Sequence, residues 1–317
     1  MRTITALFVG LGSIGTRHLK NLANLCADRG WTLQADALRS DLTRPLRPGA
    51  AELLHAQYTD LTAAPAHYDM VFITNPTSLH AEALRQVKGR GEALFIEKPI
   101  FSAEQTGLAL DELLPAGQKA YVAAPMRWCG AMLALKDRLP ALHPYCARVI
   151  CSSYLPDWRP GVDYRTVYSA HKAMGGGVTI DLIHEWDYLV ELFGVPEKLY
   201  NFKGTYSELE IDSDDLSVYI AKYPTLLAEV HLDYFGRGYR RSIELFCRDG
   251  SYLADFGKGT LTLPDGTVQH YEEDVNRRYE REMEYFVDYA LTGCGESCNP
   301  PALALKVLKL TLGENVQ

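Results

Sequence analysis

The segment "ITALFVGLGSIGTRH" near the N-terminus restricts the fold of this 317-residue chain more than any other stretch of its sequence. A short apolar run leads into Gly10, Gly12 and Gly15 in the G-x-G-x-x-G spacing, and apolar residues then recur with helical periodicity over residues 14–27. In a strand–turn–helix context, the first glycine permits a tight turn, the second lets a pyrophosphate approach the backbone, and the third allows close helix–strand packing. The segment therefore predicts a dinucleotide site.

The start of the predicted helix is where the phosphates would bind. The first N–H groups of a helix, here those of Ser13 and Ile14, have no partner within the helix and lie at the positive end of its dipole. Ser13 and Ile14 therefore join the three glycines as predicted cofactor-binding residues. A glycine-rich turn that binds no ligand is the alternative.

Apolar segments alternate with helical patterns as far as residue 123. Further strands are predicted in "WTLQADAL", "DMVFIT", "GEALFIE" and "KAYVAAP", and further helices in "AAELLHAQ", "SLHAEALRQVKG" and "SAEQTGLALDELLPAG". Continuous apolar strands that alternate with helices are typical of a parallel sheet covered on both faces. The right-handed crossover rule then predicts a doubly wound Rossmann domain over residues 1–123, in an α/β arrangement.

The pattern changes in the second part of the chain. Residues 145–155 and 214–270 are rich in Tyr, Val, Leu and Thr and contain turn sequences such as "RDGS", which indicates antiparallel strands. Helices are predicted at residues 177–193, 274–291 and 301–312. We predict a substrate-binding and oligomerisation α+β domain over 124–317 with a large open, mostly antiparallel sheet. Its last helix is a candidate to pack back on the first domain.

Composition narrows the range of partners and locations. The formal net charge is -8 and no long run of Lys or Arg occurs, which argues against nucleic acid, and no apolar stretch is long enough for a membrane span. The N-terminus runs directly into the first strand without a signal-peptide pattern, so we expect a cytoplasmic protein. Seven scattered cysteines favour reduced thiols, and the pair Cys294 and Cys298 lacks a second ligand pair, so no metal is predicted.

The end of the second strand bears on the choice of nicotinamide cofactor. An acid there binds the ribose 2′-hydroxyl of NAD, whereas an arginine accommodates the 2′-phosphate of NADP. In "QADALRSD", Asp36 is followed by two apolar residues and is placed inside the strand, while Arg39 and Ser40 lie at its tip, with Arg44 as a further candidate. A guanidinium and a hydroxyl suit a phosphate, so NADP(H) is favoured. NAD(H) is the alternative, with Asp36 as the ribose ligand of a strand that ends early.

A lysine follows the fourth predicted strand in "FIEKPI", where Glu97, Lys98 and Pro99 replace the apolar residues. Burying a lysine is costly unless it is paired or used. Ligands of doubly wound sheets bind at the carboxyl edge of the strands, and hydride transfer requires a group that takes or gives the hydroxyl proton. Lys98 is therefore a candidate catalytic residue. A side chain that only extends into solvent from a strand end is the alternative.

Four motifs together resemble the Gfo/Idh/MocA oxidoreductases, a family named for glucose–fructose oxidoreductase, inositol dehydrogenase and a rhizopine catabolism protein. They are "GLGSIGTRH" at 10–18, "ITNPTSLH" at 73–80, "EKP" at 97–99 and "GGGVTIDLIHEWDYLVELFG" at 175–194. The resemblance covers nearly the whole chain. It implies an NAD(P)-dependent oxidoreductase that acts on a CH–OH group of a sugar-like substrate, such as a sugar, an amino sugar, a nucleotide sugar or an inositol.

The resemblance also implies roles for single residues. Lys98 would hold and protonate the substrate oxygen beside the nicotinamide, and Glu97 would hold Lys98 in place, with substrate binding by Glu97 as the alternative. The family's cofactor-lining loop corresponds to Thr74, Asn75, Pro76 and His80 in "ITNPTSLH". Arg127 in "APMRWCG" matches a family arginine that we assign to the cofactor, although Pro125 replaces a usual asparagine.

The helix "VTIDLIHEWDYLVELF" would present an aspartate and a histidine to the substrate. Asp181 and His184 are three residues apart, so we expect them to share one face of this helix, and both are candidate catalytic and substrate-binding residues. The commoner family spacing is four residues, so the exact role of Asp181 is left open. His184 is a candidate second acid/base or a hydrogen-bond donor to a sugar hydroxyl. A solvated helix face is the alternative, and the metal motif H-E-x-x-H is incomplete here.

Residues 154–177 form a connection dense in Tyr, Trp, Arg and Pro. Aromatic faces suit the C–H surfaces of sugars, and arginines suit carboxylates or phosphates. The candidate substrate-binding residues here are Trp158, Arg159, Tyr164 and Arg165. Simple packing of a long connection is the alternative.

Two other functions are left open. One is a glycoside-cleaving enzyme that oxidises its sugar transiently, and the other is a cofactor-binding sensor without turnover, against which Lys98 and His184 argue because a sensor needs no proton relay. The open, strand-rich second domain exposes more apolar surface than a monomer tolerates well, which predicts a homodimer or a homotetramer.

Overall fold

The computed structural model describes residues 2–292 and 295–316, so that Cys294 lies outside the described residues. The chain divides into two compact units. Unit 1 comprises Met1–Ala123 and Tyr279–Leu305, and unit 2 comprises Ala124–Arg278 and Lys306–Gln317. The first unit boundary falls where the sequence pattern changes, and residues 279–305 group with unit 1. The assignment of 124–317 to a single functional domain stays a prediction.

Unit 1 is built on a six-stranded sheet in the described part of the chain, with the strand order β3-β2-β1-β4-β5-β6. The strands are β1 (Thr3–Val9), β2 (Thr32–Leu38), β3 (Leu54–Tyr58), β4 (Tyr68–Ile73), β5 (Gly91–Ile96) and β6 (Lys119–Val122). All neighbouring strands pair in parallel, which confirms the predicted Rossmann sheet. The switch from β1 to β4 in the strand order places the carboxyl ends of these two strands at the point where such sheets bind ligands.

The helices of this part of the chain begin with α1 (Ser13–Asp28), α2 (His80–Gln86) and α3 (Leu110–Leu113). Phenylalanines fill the centre of unit 1: Phe8 stacks on Phe72 with ring centroids 4.4 Å apart, and Phe286 meets Phe72 and Phe95 edge-on. Each of these four rings is fully buried. The core explains why the strands are continuously apolar, since both faces of the sheet are covered.

Two predicted helices of unit 1 were wrong. The segment "AAELLHAQ" forms a short 3-10 turn, Ala51–Leu53, and then strand β3, because pairing with β2 outweighs the local helix propensity. The segment "SAEQTGLALDELLPAG" forms a 3-10 turn and the single-turn helix α3 instead of one long helix. A capping box between Ser102 and Gln105 defines the turn, and Gly107 follows it, where a helix interior is disfavoured.

Unit 2 contains an eight-stranded sheet among the residues described, in the order β14-β13-β12-β11-β7-β10-β9-β8. The strands are β7 (Cys146–Tyr154), β8 (Lys198–Gly204), β9 (Leu216–Lys222), β10 (Leu227–Asp233), β11 (Phe235–Cys247), β12 (Gly250–Asp255), β13 (Thr260–Thr262) and β14 (Val268–His270). Neighbouring strands are antiparallel except for the β7–β10 pair, so the predicted mostly antiparallel sheet is confirmed. Strand β8 lies outside the segments predicted as strands.

The predicted helix over residues 177–193 is interrupted. It consists of α5 (Val178–Asp181) and α6 (His184–Phe193), with Leu182 between them in a non-helical backbone conformation. Asp181 therefore ends one helix and His184 begins the next, so the expectation that both lie on one face of a continuous helix was wrong. The remaining helices are α4 (Gly130–Arg138), α7 (Asn276–Thr292) and α8 (Pro301–Thr311).

The cysteines of the described residues carry no disulfide. Cys26, Cys129, Cys146, Cys151, Cys247 and Cys298 are free. Burial raises the pKa of Cys26 to about 11, so this side chain stays a neutral thiol at physiological pH. Over residues 2–292 and 295–316, no helix combines the length and apolar character that crossing a membrane requires.

Candidate active site

The glycine turn after β1 fits tightly against the end of β4. Gly10 has a φ of +83°, and a Cβ atom there would lie 2.7 Å from the Cα of Asn75. Its N–H donates to the carbonyl oxygen of Leu38 at 2.9 Å, which connects the turn to the end of β2. A side chain at position 10 would therefore be strained and would also collide with the neighbouring loop.

The other two glycines differ in the space around them. Gly12 is the N-cap residue of α1, and no heavy atom of the described chain lies within 4 Å of the position of a Cβ there. At Gly15, by contrast, a Cβ would lie 2.7 Å from the Oγ1 of Thr74, whose hydroxyl donates to the carbonyl oxygen of Gly10 at 2.5 Å. The turn thus offers open space at an uncapped helix N-terminus, with Ser13 and Ile14 in the first turn of α1, which fits a pyrophosphate.

Asp36 lies inside β2, as predicted, and its carboxylate is occupied by two neighbours. The hydroxyl of Tyr68 donates to Oδ2 at 2.8 Å, and the Nδ1 of His55 lies 3.1 Å from Oδ1. The side chain is 3% exposed. Because both oxygens of Asp36 already have partners, we expect residues at the tip of β2, rather than Asp36, to contact a cofactor.

Basic side chains surround a cavity at the end of β2. Arg39 donates to the Oε1 of Gln57 at 2.7 Å and to the carbonyl oxygen of Arg44 at 2.5 Å. The cavity has a volume of about 430 Å³, and the lining includes Arg39, Thr43, Arg44, Arg47, Glu52 and Gln57. Within the described part of the chain, neither Arg39 nor Arg47 forms an ion pair, so the positive charges at this edge are only partly balanced. Ser40 is exposed beside Arg39.

Glu97 is held from both sides at the end of β5. The Nε2 of His18 lies 2.6 Å from Oε1, and the backbone N–H of Lys98 donates to Oε2 at 3.1 Å. The exposed fraction is 0% for His18 and 7% for Glu97. Burial by itself raises the pKa of Glu97, but the hydrogen bond from His18 and the charges of His18 and Lys98 outweigh it, so this pKa lies below its usual value. Lys98 is half-buried, and its peptide bond to Pro99 is cis.

His80 connects two loops at the same sheet edge. Its ring nitrogens each lie 3.1 Å from a backbone carbonyl oxygen, Nε2 from that of Asn75 and Nδ1 from that of Ile100. Burial lowers the pKa of this imidazole. Because both nitrogens are used inside the protein, any effect of His80 on a cofactor would pass through the loop of Asn75 and Pro76. Direct contact with a cofactor stays a prediction.

Asp181 in unit 2 accepts three hydroxyl hydrogen bonds. The donors are Tyr168 at 2.7 Å, Ser169 at 2.7 Å and Tyr234 at 2.6 Å. Burial raises the pKa of both phenols, and the charge of Asp181 raises them further, so both keep their protons at physiological pH. Asp181 therefore joins the loop before α5 to the start of β11. His184 is half-buried at the first position of α6.

The structure brings only some of the predicted substrate-binding residues close to Asp181. The indole N–H of Trp158 donates to Ser153 at 3.0 Å, and its ring meets that of Tyr234 edge-on at 5.2 Å. The guanidinium of Arg159 lies 5.6 Å from the ring centroid of Tyr168. Trp158 and Arg159 thus contact the two tyrosines that donate to Asp181.

Tyr164 and Arg165 are bonded to Glu210, in the segment between β8 and β9, and Arg165 is also bonded to Asp163 in its own loop. The hydroxyl of Tyr164 accepts the N–H of Glu210 at 3.1 Å. Arg165 forms ion pairs with Asp163 and Glu210, both at 2.9 Å. Substrate binding by Arg165 would require these exposed ion pairs to open, and the substrate role of both residues stays a prediction.

Arg127 is engaged with carboxylates of α6. Its Nε and Nη2 donate to the two oxygens of Asp187, both at 2.8 Å, and its Nη1 contacts Glu191, which also pairs with Lys136. Arg127 is 2% exposed. These bonds tie the 3-10 turn Pro125–Trp128 to α6, and the predicted cofactor contact of Arg127 stays a prediction.

Sequence reasoning missed His18, Ser169, Tyr168 and Tyr234 as neighbours of the predicted carboxylates. His18 and Glu97 are 79 residues apart, and Tyr234 and Asp181 are 53 apart, so no local spacing reveals either contact. The only signal for His18 is its helical periodicity, which places it one turn after Gly15 on the buried face of α1. In the part of the chain that the structure describes, no three His, Cys, Asp or Glu side chains group as metal ligands would.

A parallel sheet with this glycine turn after its first strand is characteristic of dinucleotide-binding domains. Residues 4–123 match the family model GFO_IDH_MocA, described as "Oxidoreductase family, NAD-binding Rossmann fold". This match confirms the resemblance drawn from the motifs and the prediction of a nicotinamide-dependent oxidoreductase.

Relatives extend the likeness over the second unit. The chain is 24% identical over 308 residues to the "Uncharacterized oxidoreductase YrbE" of Bacillus subtilis, covering 90% of this chain and 86% of that protein. It is 26% identical over 200 residues to an inositol 2-dehydrogenase of Rhizobium meliloti, covering 61% of this chain and 56% of that protein. The fold is similar to that of a levoglucosan dehydrogenase solved with NADH and levoglucosan, with a TM-score of 0.81, 15% identity and coverage of 98% and 96% of the two chains.

Proposed function

We propose that this protein is an NADP(H)-dependent oxidoreductase that transfers a hydride between the nicotinamide and a secondary alcohol or ketone of a sugar-like substrate. The observation that carries the proposal is the position of Lys98. It directly follows a buried carboxylate at the carboxyl end of β5, two strands from the glycine turn after β1. Ligands of doubly wound sheets bind outside these strand ends.

Lys98 would act as the proton donor and acceptor. In the oxidation direction, its amine takes the hydroxyl proton of the substrate while the C–H hydrogen leaves as hydride, and in reduction its ammonium returns the proton to the carbonyl oxygen. The bound nicotinamide would supply or accept the hydride. The charge of Glu97, which interacts with that of Lys98, supports a lysine that is held in place and available for this step.

The preference for NADP(H) is supported by the basic cavity at the end of β2. Arg39, Arg44 and Arg47 line it, and Asp36, the acid that would bind an NAD ribose, is committed to Tyr68 and His55. A 2′-phosphate at this position would receive charge-assisted hydrogen bonds from guanidinium groups. NAD(H) is the alternative cofactor.

Unit 2 would bind the substrate through polar and aromatic groups. We assign this role to His184, Trp158 and Arg159, with Asp181 as the anchor of the two phenols that contact Trp158 and Arg159. Aromatic faces and hydroxyl-binding groups suit a polyhydroxylated ring. Similarity to proteins named as inositol 2-dehydrogenase and levoglucosan dehydrogenase supports this class of substrate.

Turnover distinguishes this function from its two alternatives. The purified protein is mixed with NADP⁺ or NAD⁺ and with myo-inositol, levoglucosan, UDP-N-acetylglucosamine or sialic acid, and nicotinamide absorbance is followed. A lasting rise in the absorbance of the reduced cofactor supports the proposal. Sugar cleavage without lasting reduction would indicate the glycoside-cleaving reaction, and cofactor binding without any reaction across the panel would indicate a sensor.

A cytoplasmic location is supported by the sequence alone.

The open face of the unit 2 sheet supports a homodimer or a homotetramer. Exposed apolar side chains on this face include Tyr200, Phe202, Ile220 and Leu227. Phe202→Glu should convert the oligomer to monomer in sedimentation at micromolar concentration, because it places a charge where apolar surface would be buried. Leu42→Glu, at an exposed leucine of unit 1, is the control. A wild-type protein that sediments only as monomer would contradict this assembly.

A further inference from the structure

We infer that His18 is a positioning residue for Lys98: it holds the Glu97 carboxylate in the one orientation that receives the Lys98 amide and sets a negative charge close to the lysine. The inference rests on the proposed role of Lys98 and assigns a function to a buried pair that the proton step does not itself use.

The carboxylate of Glu97 is fixed at both oxygens. Oε1 faces the Nε2 of His18 at 2.6 Å and Oε2 accepts the N–H of Lys98 at 3.1 Å, so rotation of the carboxylate would break one of the two bonds. The backbone is also fixed here, because the N–H of Glu97 donates to the carbonyl oxygen of Ile73 at 2.9 Å. The backbone position of Lys98 therefore depends on His18, because His18 fixes the Glu97 carboxylate that accepts the Lys98 N–H.

The direction of the His18 hydrogen bond follows from the charge of Glu97. A carboxyl group whose pKa lies below its usual value is ionised at neutral pH and can only accept, so Nε2 of His18 carries the proton. The Nδ1 of His18 is buried and has no hydrogen-bond partner among the residues described. A ring that makes one hydrogen bond, directed at one carboxylate oxygen, has no other polar contact to explain its presence.

Packing alone does not require a polar pair at this position. The same helix contacts the sheet through Leu19 and Leu22, which are fully buried, and the His18 ring itself lies 4.7 Å from that of Phe95. Burying an ion pair or a charge-assisted bond is seldom worth more than an apolar contact of similar volume. The location of the His18–Glu97 pair directly before Lys98 is therefore better explained by the orientation of that lysine than by the stability of the fold.

The titratable groups near this pair, among the residues described, lie on several elements. Lys98 follows Glu97, and the charge of Glu97 also acts on His80, whose pKa burial lowers. On α7, the ring of Tyr279 lies 6.1 Å from that of His18 and 4.5 Å from the guanidinium of Arg17, and the buried carboxylate of Glu282 accepts from the hydroxyl of Tyr121 at 2.8 Å. We expect a change in the acid limb of a pH profile after mutation of His18 to come from Glu97, because Glu97 is the carboxylate that His18 contacts.

The test compares a variant that removes the donor with one that keeps it. His18→Leu should lower kcat about 10–100-fold, which is the size of the loss when a residue that orients a metal ligand is removed. The affinity for NADPH should stay nearly unchanged. The acid limb of kcat/KM should move to higher pH, because Glu97 loses the largest cause that lowers its pKa. His18→Gln, whose amide can still donate, should restore most of kcat and of the profile. His67→Leu, which breaks the exposed His67–Glu92 pair at 2.9 Å, should change neither.

A second readout needs no turnover. Acetylation of Lys98 by acetic anhydride at neutral pH, measured by peptide mass spectrometry against Lys88, should be several-fold faster in His18→Leu and in Glu97→Gln, because the backbone of Lys98 is then no longer held by a fixed carboxylate. If His18→Leu does not fold, the inference is tested on Glu97→Gln by the same two measurements, namely kcat with its pH profile and the acetylation rate of Lys98.

The outcomes separate this inference from the proposed function. Unchanged kcat, acid limb and acetylation in a folded His18→Leu or Glu97→Gln protein would overturn the positioning role. A loss of NADPH affinity with kcat unchanged would overturn it as well. If Lys98→Met retains wild-type turnover of myo-inositol or levoglucosan, the proposed role of Lys98 fails instead, while the oxidoreductase activity itself stands.

Discussion

Two carboxylates, Glu97 in unit 1 and Asp181 in unit 2, are stabilised by different kinds of donor. Glu97 is buried and depends on one imidazole and one backbone N–H. Asp181 is half-buried and depends on three hydroxyl groups. The hydroxyl donors of Asp181 keep their protons over the physiological range. Unit 1 thus combines a carboxylate fixed at both oxygens with Lys98, and unit 2 has a carboxylate that organises aromatic side chains.

The proposed function gives the two regions separate tasks. If Lys98 is the proton donor and acceptor, a charge next to it bears on proton transfer and therefore on kcat. If Trp158 and Arg159 bind the substrate, the carboxylate that holds Tyr168 and Tyr234 against them bears on KM. Variants near Lys98 should therefore change mainly kcat, and variants near Asp181 should change mainly KM.

Lys98→Met should have the largest effect. The two side chains are similar in length, so packing should survive while the proton and the charge are lost. General acid–base catalysis supplies about 10²–10⁴-fold, so we expect a loss in kcat of at least about 10²-fold. NADPH affinity, measured by fluorescence titration, should stay nearly unchanged.

Lys88→Met is the control for Lys98→Met, because Lys88 is exposed in the same unit and donates only to the carbonyl oxygen of Glu112 among the residues described. Turnover of the Lys98→Met protein within a few-fold of wild type would remove Lys98 from the mechanism. His184 would then be the leading candidate for the acid/base.

Arg39→Ala should weaken NADPH selectively. Loss of a charge-assisted hydrogen bond to the 2′-phosphate costs about 1.5–3 kcal/mol, which corresponds to about 10–100-fold in Kd. NADH, which lacks this phosphate, should bind as to wild type. Arg165→Ala, at an exposed arginine of unit 2, should change neither affinity. Equal weakening of both cofactors, or a wild-type preference for NADH, would contradict the assignment of Arg39.

The parts of unit 1 that the sequence predicted correctly are the ones with local signals. The glycine spacing, the apolar strands β1, β2, β4, β5 and β6 and helix α1 can all be recognised within a window of a few residues. Strand β3 was predicted as a helix because its conformation depends on pairing with β2, some 20 residues earlier in the chain. The distant contact of His18 with Glu97 was hidden for the same reason.

In unit 2, the sequence predicted the type of sheet but not the details of the site. The interruption at Leu182 has no proline or glycine to signal it, so a continuous helix was expected and Asp181 was placed on the face of His184. Arg127 was assigned to the cofactor from the family resemblance, and Tyr164 and Arg165 were assigned to the substrate from residue type alone. Their bonds to Asp187, Glu210 and Asp163 depend on the folded arrangement, which a pattern of residue types does not contain.

Glu97→Gln should change the acid sensitivity of stability. A carboxyl group whose pKa is lower in the folded than in the unfolded protein stabilises the fold above the unfolded pKa, near 4.3, and this contribution is lost as pH falls through the folded pKa. The slope for one proton is about 1.4 kcal/mol per pH unit at most. The unfolding free energy of wild type, from urea titrations, should therefore fall more steeply below pH 4.3 than that of Glu97→Gln. Parallel curves would show that Glu97 is not the ionised, stabilised carboxylate described here.

Tyr234→Phe should have the smallest effect, because Asp181 keeps two of its three donors. The ring remains against Trp158, so the variant removes only a hydroxyl, and the expected cost is about 1 kcal/mol in the free energy of unfolding. Tyr206→Phe, at an exposed tyrosine of unit 2, should cost close to nothing in the same urea titration. Removing Tyr168 as well should cost more than the sum of the single losses, since a carboxylate left with one donor is poorly compensated. A strictly additive pair would mean that the three hydroxyls act independently, and Asp181 would then not be the shared anchor that distinguishes it from Glu97.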